Sequence, residues 1–270
     1  MPSLGSRVRR LVPGDLAVVM GPTGSGKTLV LQNIARAAHP VPVLLFEIEL
    51  AADLVFERFA AMEFDLVPDE VELRYGRSAS NIQWDNTRLR NIYTCTKSKL
   101  TTADIERLIL RSEEKIGQRP ALVLVDYVGL LQPLRAGGSK YERISEIAEQ
   151  LKVVAKTTDT VVMAGCQVNR ASAGYSGEAV NLTDARDSGS IEASAGLVIG
   201  VWQPGGRPGR LCFRILKNTK GTAGHEWECL LDGARGIMRE VVDDAAHTPP
   251  HSGRNGRNST GHLTGHRDTP

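Results

Sequence analysis

The stretch Leu16-Ala-Val-Val-Met20-Gly21-Pro22-Thr23-Gly24-Ser25-Gly26-Lys27-Thr28 decides how this chain is read. Its first five residues are apolar and predict a buried strand. Gly21 to Thr28 fits G-x-x-x-x-G-K-[ST], and Leu29 to Ala38 carries apolar residues at helical spacing. A strand, a glycine-rich turn and a helix in that order make a cradle for phosphate. The glycines let successive backbone N–H groups curl round an anion, and the helix N-terminus adds a positive dipole end. Lys27 is then placed to reach the β- and γ-phosphates, and Thr28 to offer its hydroxyl to Mg²⁺. A glycine-rich turn matching by chance would leave the flanking strand and helix unexplained. Residues 21–28 are expected to bind ATP or GTP.

Phosphoryl transfer to water also needs a metal ligand and a group that orients the water. Ala121-Leu-Val-Leu-Val-Asp126 reads as a buried strand ending in an acid. Asp126 is thereby expected to hold Mg²⁺ through water, rather than to be an ordinary strand-terminal acid. Val43 to Ile48 predicts another buried strand, and two acids, Glu47 and Glu49, lie at its end. Two apart, they share one face of a regular strand. Spacing does not choose between them.

Around these motifs, strands and helices alternate. Asn91–Thr94 predicts a short strand, Thr101 begins a capped helix running to about Ile116, and Tyr141–Thr158 predicts a helix with apolar residues at the 3.6 period. Thr160–Ala164 is the next strand. Such alternation implies parallel β-α-β units. Past residue 196 the rhythm becomes strand after strand: Leu197–Trp202, Arg210–Leu216, His225–Leu231 and Ile237–Val241. These are expected as antiparallel strands at one edge of the sheet. Residues 243–270 hold four of the six histidines with Pro, Gly, Ser and Asn. They lack apolar periodicity and are expected to form a disordered tail.

The bulk composition fits one α/β domain over residues 1–242. The 270 residues are 41% hydrophobic, enough for a sizeable core, while aromatics at 5% supply few platforms for stacking bases. A net charge of +2 excludes a broadly basic body, so any nucleic-acid binding must come from local loops. Cys95, Cys166, Cys212 and Cys229 are scattered without a C-x-x-C pair and read as reduced, buried thiols. The first ten residues lack an apolar signal-peptide core, and no apolar run approaches a membrane span. The expected location is the cytoplasm.

Several ordered segments carry a resemblance. Phe46-Glu-Ile-Glu-Leu50 is similar to F-S-L-E-M, and Val125-Asp-Tyr-Val-Gly-Leu-Leu-Gln132 to I-D-Y-L-Q-L-M. Val161-Val-Met-Ala-Gly-Cys-Gln-Val-Asn-Arg170 resembles V-I-A-L-S-Q-L-N-R, and Asp184-Ala-Arg-Asp-Ser-Gly-Ser-Ile-Glu192 resembles D-L-R-E-S-G-A-I-E. Together they resemble the C-terminal, RecA-like motor domain of DnaB-type replicative helicases. The resemblance implies a mostly parallel central sheet flanked by helices. It places Glu49 in the catalytic-base position and leaves Glu47 where that family has serine. It implies that Gln167 senses the γ-phosphate. It puts residues 171–183 and Arg186–Gly189 in the family's DNA loops, with Arg170 and Arg186 as candidate phosphate contacts. The implied ligands are ATP, Mg²⁺ and single-stranded DNA, and the implied assembly is a homo-oligomeric ring or filament.

Departures accompany the resemblance. The family's K-x-R-x-G-x-x-G reads Lys217-Asn-Thr-Lys-Gly221-Thr-Ala-Gly224 here, with Thr219 in place of the arginine finger. Lys217, with Lys220, is the candidate to act in its stead, in a pairing that resembles RecA recombinases. The family's D-A-D is Ser194-Ala-Gly196 here. The chain starts about a dozen residues before its first strand, so the family's N-terminal domain and linker helix are expected to be missing. Three functional readings follow: an ATP-dependent, single-stranded-DNA-stimulated motor; a RecA- or RadA-like recombination ATPase; and a weakly hydrolysing, nucleotide-dependent DNA-binding or adaptor module.

Overall fold

Leu16–Gly21 forms β1, with all its residues buried, and Lys27–Ala37 forms α1. The structure, a computed structural model, describes residues 8–77, 81–84, 87–135, 137–168, 177, 179–182 and 189–241. The tail expected at 243–270 lies outside the described residues, as do Arg170 and Arg186. The remaining strands are β2 (Val43–Glu47), β3 (Ile92–Cys95), β4 (Leu122–Asp126), β5 (Val161–Gln167), β6 (Leu197–Trp202), β7 (Arg210–Asn218), β8 (Glu226–Asp232) and β9 (Ile237–Glu240). The remaining helices are α2 (Ala52–Phe64), α3 (Pro68–Tyr75), α4 (Thr102–Ile116), α5 (Lys140–Thr157) and the short α6 (Gly189–Ser194).

The nine strands make one sheet in the order β3-β2-β4-β5-β1-β6-β7-β8-β9. From β3 to β6 neighbouring strands pair parallel, and β7, β8 and β9 are added antiparallel. One expectation is corrected here. Leu197–Trp202, grouped with the antiparallel strands, pairs parallel to β1, with Ala17 opposite Leu197. The switch to antiparallel falls one strand later, at the turn 203–209 between β6 and β7.

Continuous burial of β1 and β2, and of β4 after Leu122, follows from helices covering both faces. On one face, Leu16, Val18 and Met20 pack with Ile105 and Ile109 of α4 and Ile147, Leu151 and Val154 of α5. On the other, Ala17 and Val19 meet Val30, Leu31 and Ala35 of α1 and Val55 and Phe59 of α2. The two-residue period of β1 thus feeds two cores. Thr101 and Ser139 cap α4 and α5, each accepting from the backbone N–H three residues on while that residue's carboxylate accepts in return. Helices α2 and α3, which the sequence reading passes over, build a satellite core from Phe56, Ala60, Val71 and Ile82 against Phe64, Tyr75 and Trp84.

Candidate functional site

The carboxyl ends of the parallel strands converge on one rim. In open α/β sheets this is the edge where ligands bind, at the point where strand order reverses. Here β1 lies between β5 and β6, and the loop from Gly21 to Thr28 rises from its end.

The loop's glycines answer to local geometry. A Cβ on Gly21 would lie 2.4 Å from the Val201 carbonyl oxygen and 2.5 Å from Ser25 Oγ. Gly26 caps α1 with φ at 89°, a left-handed conformation that suits glycine. Lys27 is buried, and its ammonium donates to the carbonyls of Gly21 (3.0 Å) and Pro22 (2.7 Å). Burial lowers its pKa, against the opposing charges of Asp126, Cys166 and Glu49. The charge of Lys27 therefore lies in the field of both carboxylates at this rim.

Asp126, at the end of β4, is buried. Desolvation raises its pKa most, with the Thr28 hydroxyl acting against it. Apart from that hydroxyl, the Asp126 carboxylate oxygens find no partner among the described residues, and Ser25 Oγ is likewise buried and unsatisfied. Orphaned buried oxygens beside a lysine and a threonine hydroxyl are a donor set that fits a hydrated Mg²⁺ and phosphate oxygens. The Gly-rich turn and the N-terminus of α1 fit the phosphates themselves.

The two glutamates part company. Strand β2 ends at Glu47, so the common face expected from a regular strand does not extend to Glu49. Glu47 is fully buried beside Asp126, its register partner, and Gln32 of α1 donates to its Oε2 at 3.3 Å. Burial first, and then the Asp126 charge, push Glu47 up to about 8. Glu49 is exposed at the mouth. Only Glu49 is thus both solvent-accessible and within the field of Lys27.

Gln167 ends β5, level with Gly21, and its amide donates to Thr23 Oγ1. Gln203, just past β6, donates to the Gly24 carbonyl at 3.1 Å. The phosphate loop is therefore held from both neighbouring strands. Gln32 and Gln203 escape the sequence reading. A polar residue on a buried helix stripe is a faint signal for the first, and nothing local marks the second.

Lys217, Thr219 and Lys220 lie at the opposite rim. The Thr219 N–H donates to the Gly196 carbonyl, and the Gly196 N–H to that of Leu16, at the start of β1. The Lys217 ammonium donates to the Glu192 carbonyl, and Lys220 pairs with Asp15. The length of β1 at ~3.3 Å per residue puts this rim about 17 Å from the phosphate loop of the same chain. These residues and the P-loop therefore do not form one site within a single copy.

The family model for the DnaB-like helicase C-terminal domain matches residues 1–208. The chain belongs to this family. Relatives include the replicative DNA helicase DnaB of Haemophilus influenzae, 27% identical over 211 residues, covering 74% of this chain and 44% of that protein. DnaB of Leifsonia xyli subsp. xyli is 28% identical over 199 residues, covering 70% and 42%. The chain thus spans less than half the length of these relatives. Among solved structures, the ATPase domain of G40P superposes with a TM-score of 0.74 at 20% identity, covering 86% of each chain. A DnaB-like replicative helicase, solved in a study of its interactions with primase, gives 0.73 at 20%, covering 84% of this chain and 59% of that one. Both likenesses bear on the fold, which is that of RecA-like helicase ATPase domains. No helix among the described residues is long and apolar enough to cross a membrane.

Proposed function

We propose that this DnaB-like domain is a cytoplasmic, ATP-hydrolysing motor, stimulated by single-stranded DNA, whose active site is completed between neighbouring copies in a ring or filament. The observation that carries the reading is the separation of two half-sites. Lys27, Thr28, Glu49, Asp126 and Gln167 gather at one rim, while Lys217, Thr219 and Lys220 occupy the other.

In this reading the backbone N–H groups of residues 21–28 and the Lys27 ammonium bind the β- and γ-phosphates. The Thr28 hydroxyl and Asp126, through water, hold Mg²⁺. That ion supplies charge neutralisation at the phosphate oxygens when bound. Glu49 orients and polarises the attacking water. Gln167, already joined to Thr23, follows occupancy of the γ-phosphate position and carries it into the segment beyond β5. Arg170 and Arg186 contact DNA phosphates. Lys217, with Lys220, brings positive charge to the next copy's site.

The test is ATP turnover with and without single-stranded DNA, alongside oligomer mass with ATP. DNA-stimulated turnover in an assembled species is the expected outcome. Arg170→Ala and Arg186→Ala are each expected to lower the salt slope of DNA binding by about one unit, with ATP binding retained. An unchanged slope in both removes them from the DNA path. A second reading, the weakly hydrolysing adaptor module, is favoured by Thr219 at the arginine position and by the engagement of both lysines within their own chain. Nucleotide binding with negligible turnover in any assembly state would select it.

A further inference from the structure

Lys217 and Lys220 share the rim opposite the phosphate loop, but their surroundings differ. Lys217 lies in β7, and its ammonium donates to the uncharged Glu192 carbonyl. Among the described residues no carboxylate pairs with it. Lys220 pairs with the carboxylate of Asp15, a side chain only 14% exposed. One lysine thus keeps an uncompensated charge, and the charge of the other is neutralised within its own chain.

Asp15 is itself firmly held. Its N–H donates to the Val12 carbonyl at 2.9 Å, and its Oδ2 accepts from the Val12 N–H at 2.8 Å as well as from Lys220. Its carbonyl accepts from the Val162 N–H of β5 at 3.0 Å. Burial raises the Asp15 carboxyl, but the hydrogen bonds from Lys220 and Val12 outweigh it and keep the group below its ordinary value.

The end of β7 needs such an anchor. Val198 pairs with Lys217 but Ile199 with Ile215, so the ladder bulges at Leu216, immediately before Lys217. A bulge bends its strand, and pairing on one side of it does not fix the direction of the chain on the other. Past the bulge, Thr219 gives its N–H and its hydroxyl to the Gly196 carbonyl, at 2.9 and 3.1 Å. The Lys220 N–H donates to Asn218 Oδ1 at 3.1 Å, and Asn218 Nδ2 to the Thr222 carbonyl at 3.3 Å. The Lys220–Asp15 pair joins this turn to the residue that precedes β1.

We propose that Asp15 is a positioning residue for the shared site: by pairing with Lys220 it fixes the end of β7, so that Lys217 is the lysine that delivers charge to the next copy. This role rests on the shared-site reading above and separates the two lysines which that reading leaves together.

The experiment mixes full-length copies that are each nearly inactive alone. Glu49→Gln copies present an intact turn, and Lys217→Ala copies an intact phosphate loop. Mixing the two should restore ATP turnover. Asp15→Asn added to the Glu49→Gln copy should cut that recovery about tenfold to 10²-fold, the scale of a misplaced catalytic group, with nucleotide affinity unchanged. Asparagine keeps an oxygen for the Val12 N–H and removes the charge. The same substitution added instead to the Lys217→Ala copy should leave recovery as it was, whereas general damage to the fold would lower both. Asp15→Lys with Lys220→Asp on the Glu49→Gln copy rebuilds the pair in reverse and should bring recovery back. If Lys220 itself carried charge to the next copy, this swap would abolish recovery. Recovery indifferent to Asp15→Asn on the Glu49→Gln copy, equal loss whichever copy carries it, or failure of the swap overturns the proposal while the shared site stands. No recovery in the first mixture overturns the shared site and this role with it.

Discussion

Glu47 and Glu49 stand two residues apart in different surroundings, one buried and the other exposed. Exposed Glu49 can touch a water at the mouth of the site. Glu49→Gln is therefore expected to retain ATP binding and lower turnover by about 10²–10⁴-fold, the usual contribution of a positioned base. Glu47→Gln should be much milder, which single-turnover assays will check. The reverse ranking would show that the strand is misaligned with its family. Glu47 also sets a pH dependence. Its folded-state pKa of about 8 lies above the ordinary 4.5, so the folded protein holds this proton more tightly than the unfolded chain. Stability contributed by that proton is full below pH 4.5 and is lost as pH rises to about 8. Glu47→Gln should flatten the slope and raise the stability of the nucleotide-free protein near pH 8, by on the order of 4 kcal/mol at ~1.4 kcal/mol per unit. Denaturant unfolding at pH 5.5 and 8 measures it. An equal difference between the two proteins at both pH values would exclude this account.

Elements explain which parts of the chain were legible. The strand, turn and helix around Gly21–Thr28 could be read because their pattern is local: an apolar run, then glycines at fixed spacing, then helical periodicity. Asp126 could be read because a strand buried on both faces is continuously apolar, which makes its terminal acid conspicuous. The direction of β6 could not be read, since a buried strand has the same composition whether it runs parallel or antiparallel to its neighbour. The fate of Glu47 was hidden for a related reason. Its burial depends on register with Asp126 and on Gln32 arriving from α1, both set by tertiary packing. The late turn after β7 raises a prediction at this scale. Thr219 sits at the rim opposite the phosphate loop, out of reach of its own chain's site, and in the proposed assembly it faces a neighbouring copy's site. Thr219→Arg should raise turnover at least tenfold if that turn reaches the next γ-phosphate, because a guanidinium supplies a planar fork where an ammonium is a point charge. Lys217→Ala should lower turnover with nucleotide affinity nearly unchanged. Steady-state rates beside equilibrium nucleotide binding separate the two effects. No change in rate from either substitution would remove this turn from catalysis.

At the scale of the whole molecule, the proposed shared site sets residues about 17 Å apart on opposite rims, and under that proposal activity is a property of an assembly. In that reading a copy alone binds nucleotide through residues 21–28 but receives no positive charge from Lys217 or Lys220, which lie at the other end of its own sheet. Turnover per copy should therefore rise with protein concentration and level off where mass measurements show the oligomer to be complete. Lys27→Ala subunits mixed with wild type sharpen the prediction. Each inactive copy still presents its own Lys217 and Lys220 to a neighbour, so activity should fall in proportion to the wild-type fraction. A Lys217→Ala, Lys220→Ala copy keeps its own phosphate loop but deprives the neighbour. Mixing it with Lys27→Ala should restore turnover that neither has alone, because some interfaces then join an intact phosphate loop to an intact pair of lysines. Flat specific activity down to concentrations at which the protein is monomeric, with no recovery on mixing, would place the whole reaction within one copy and sink the shared-site reading.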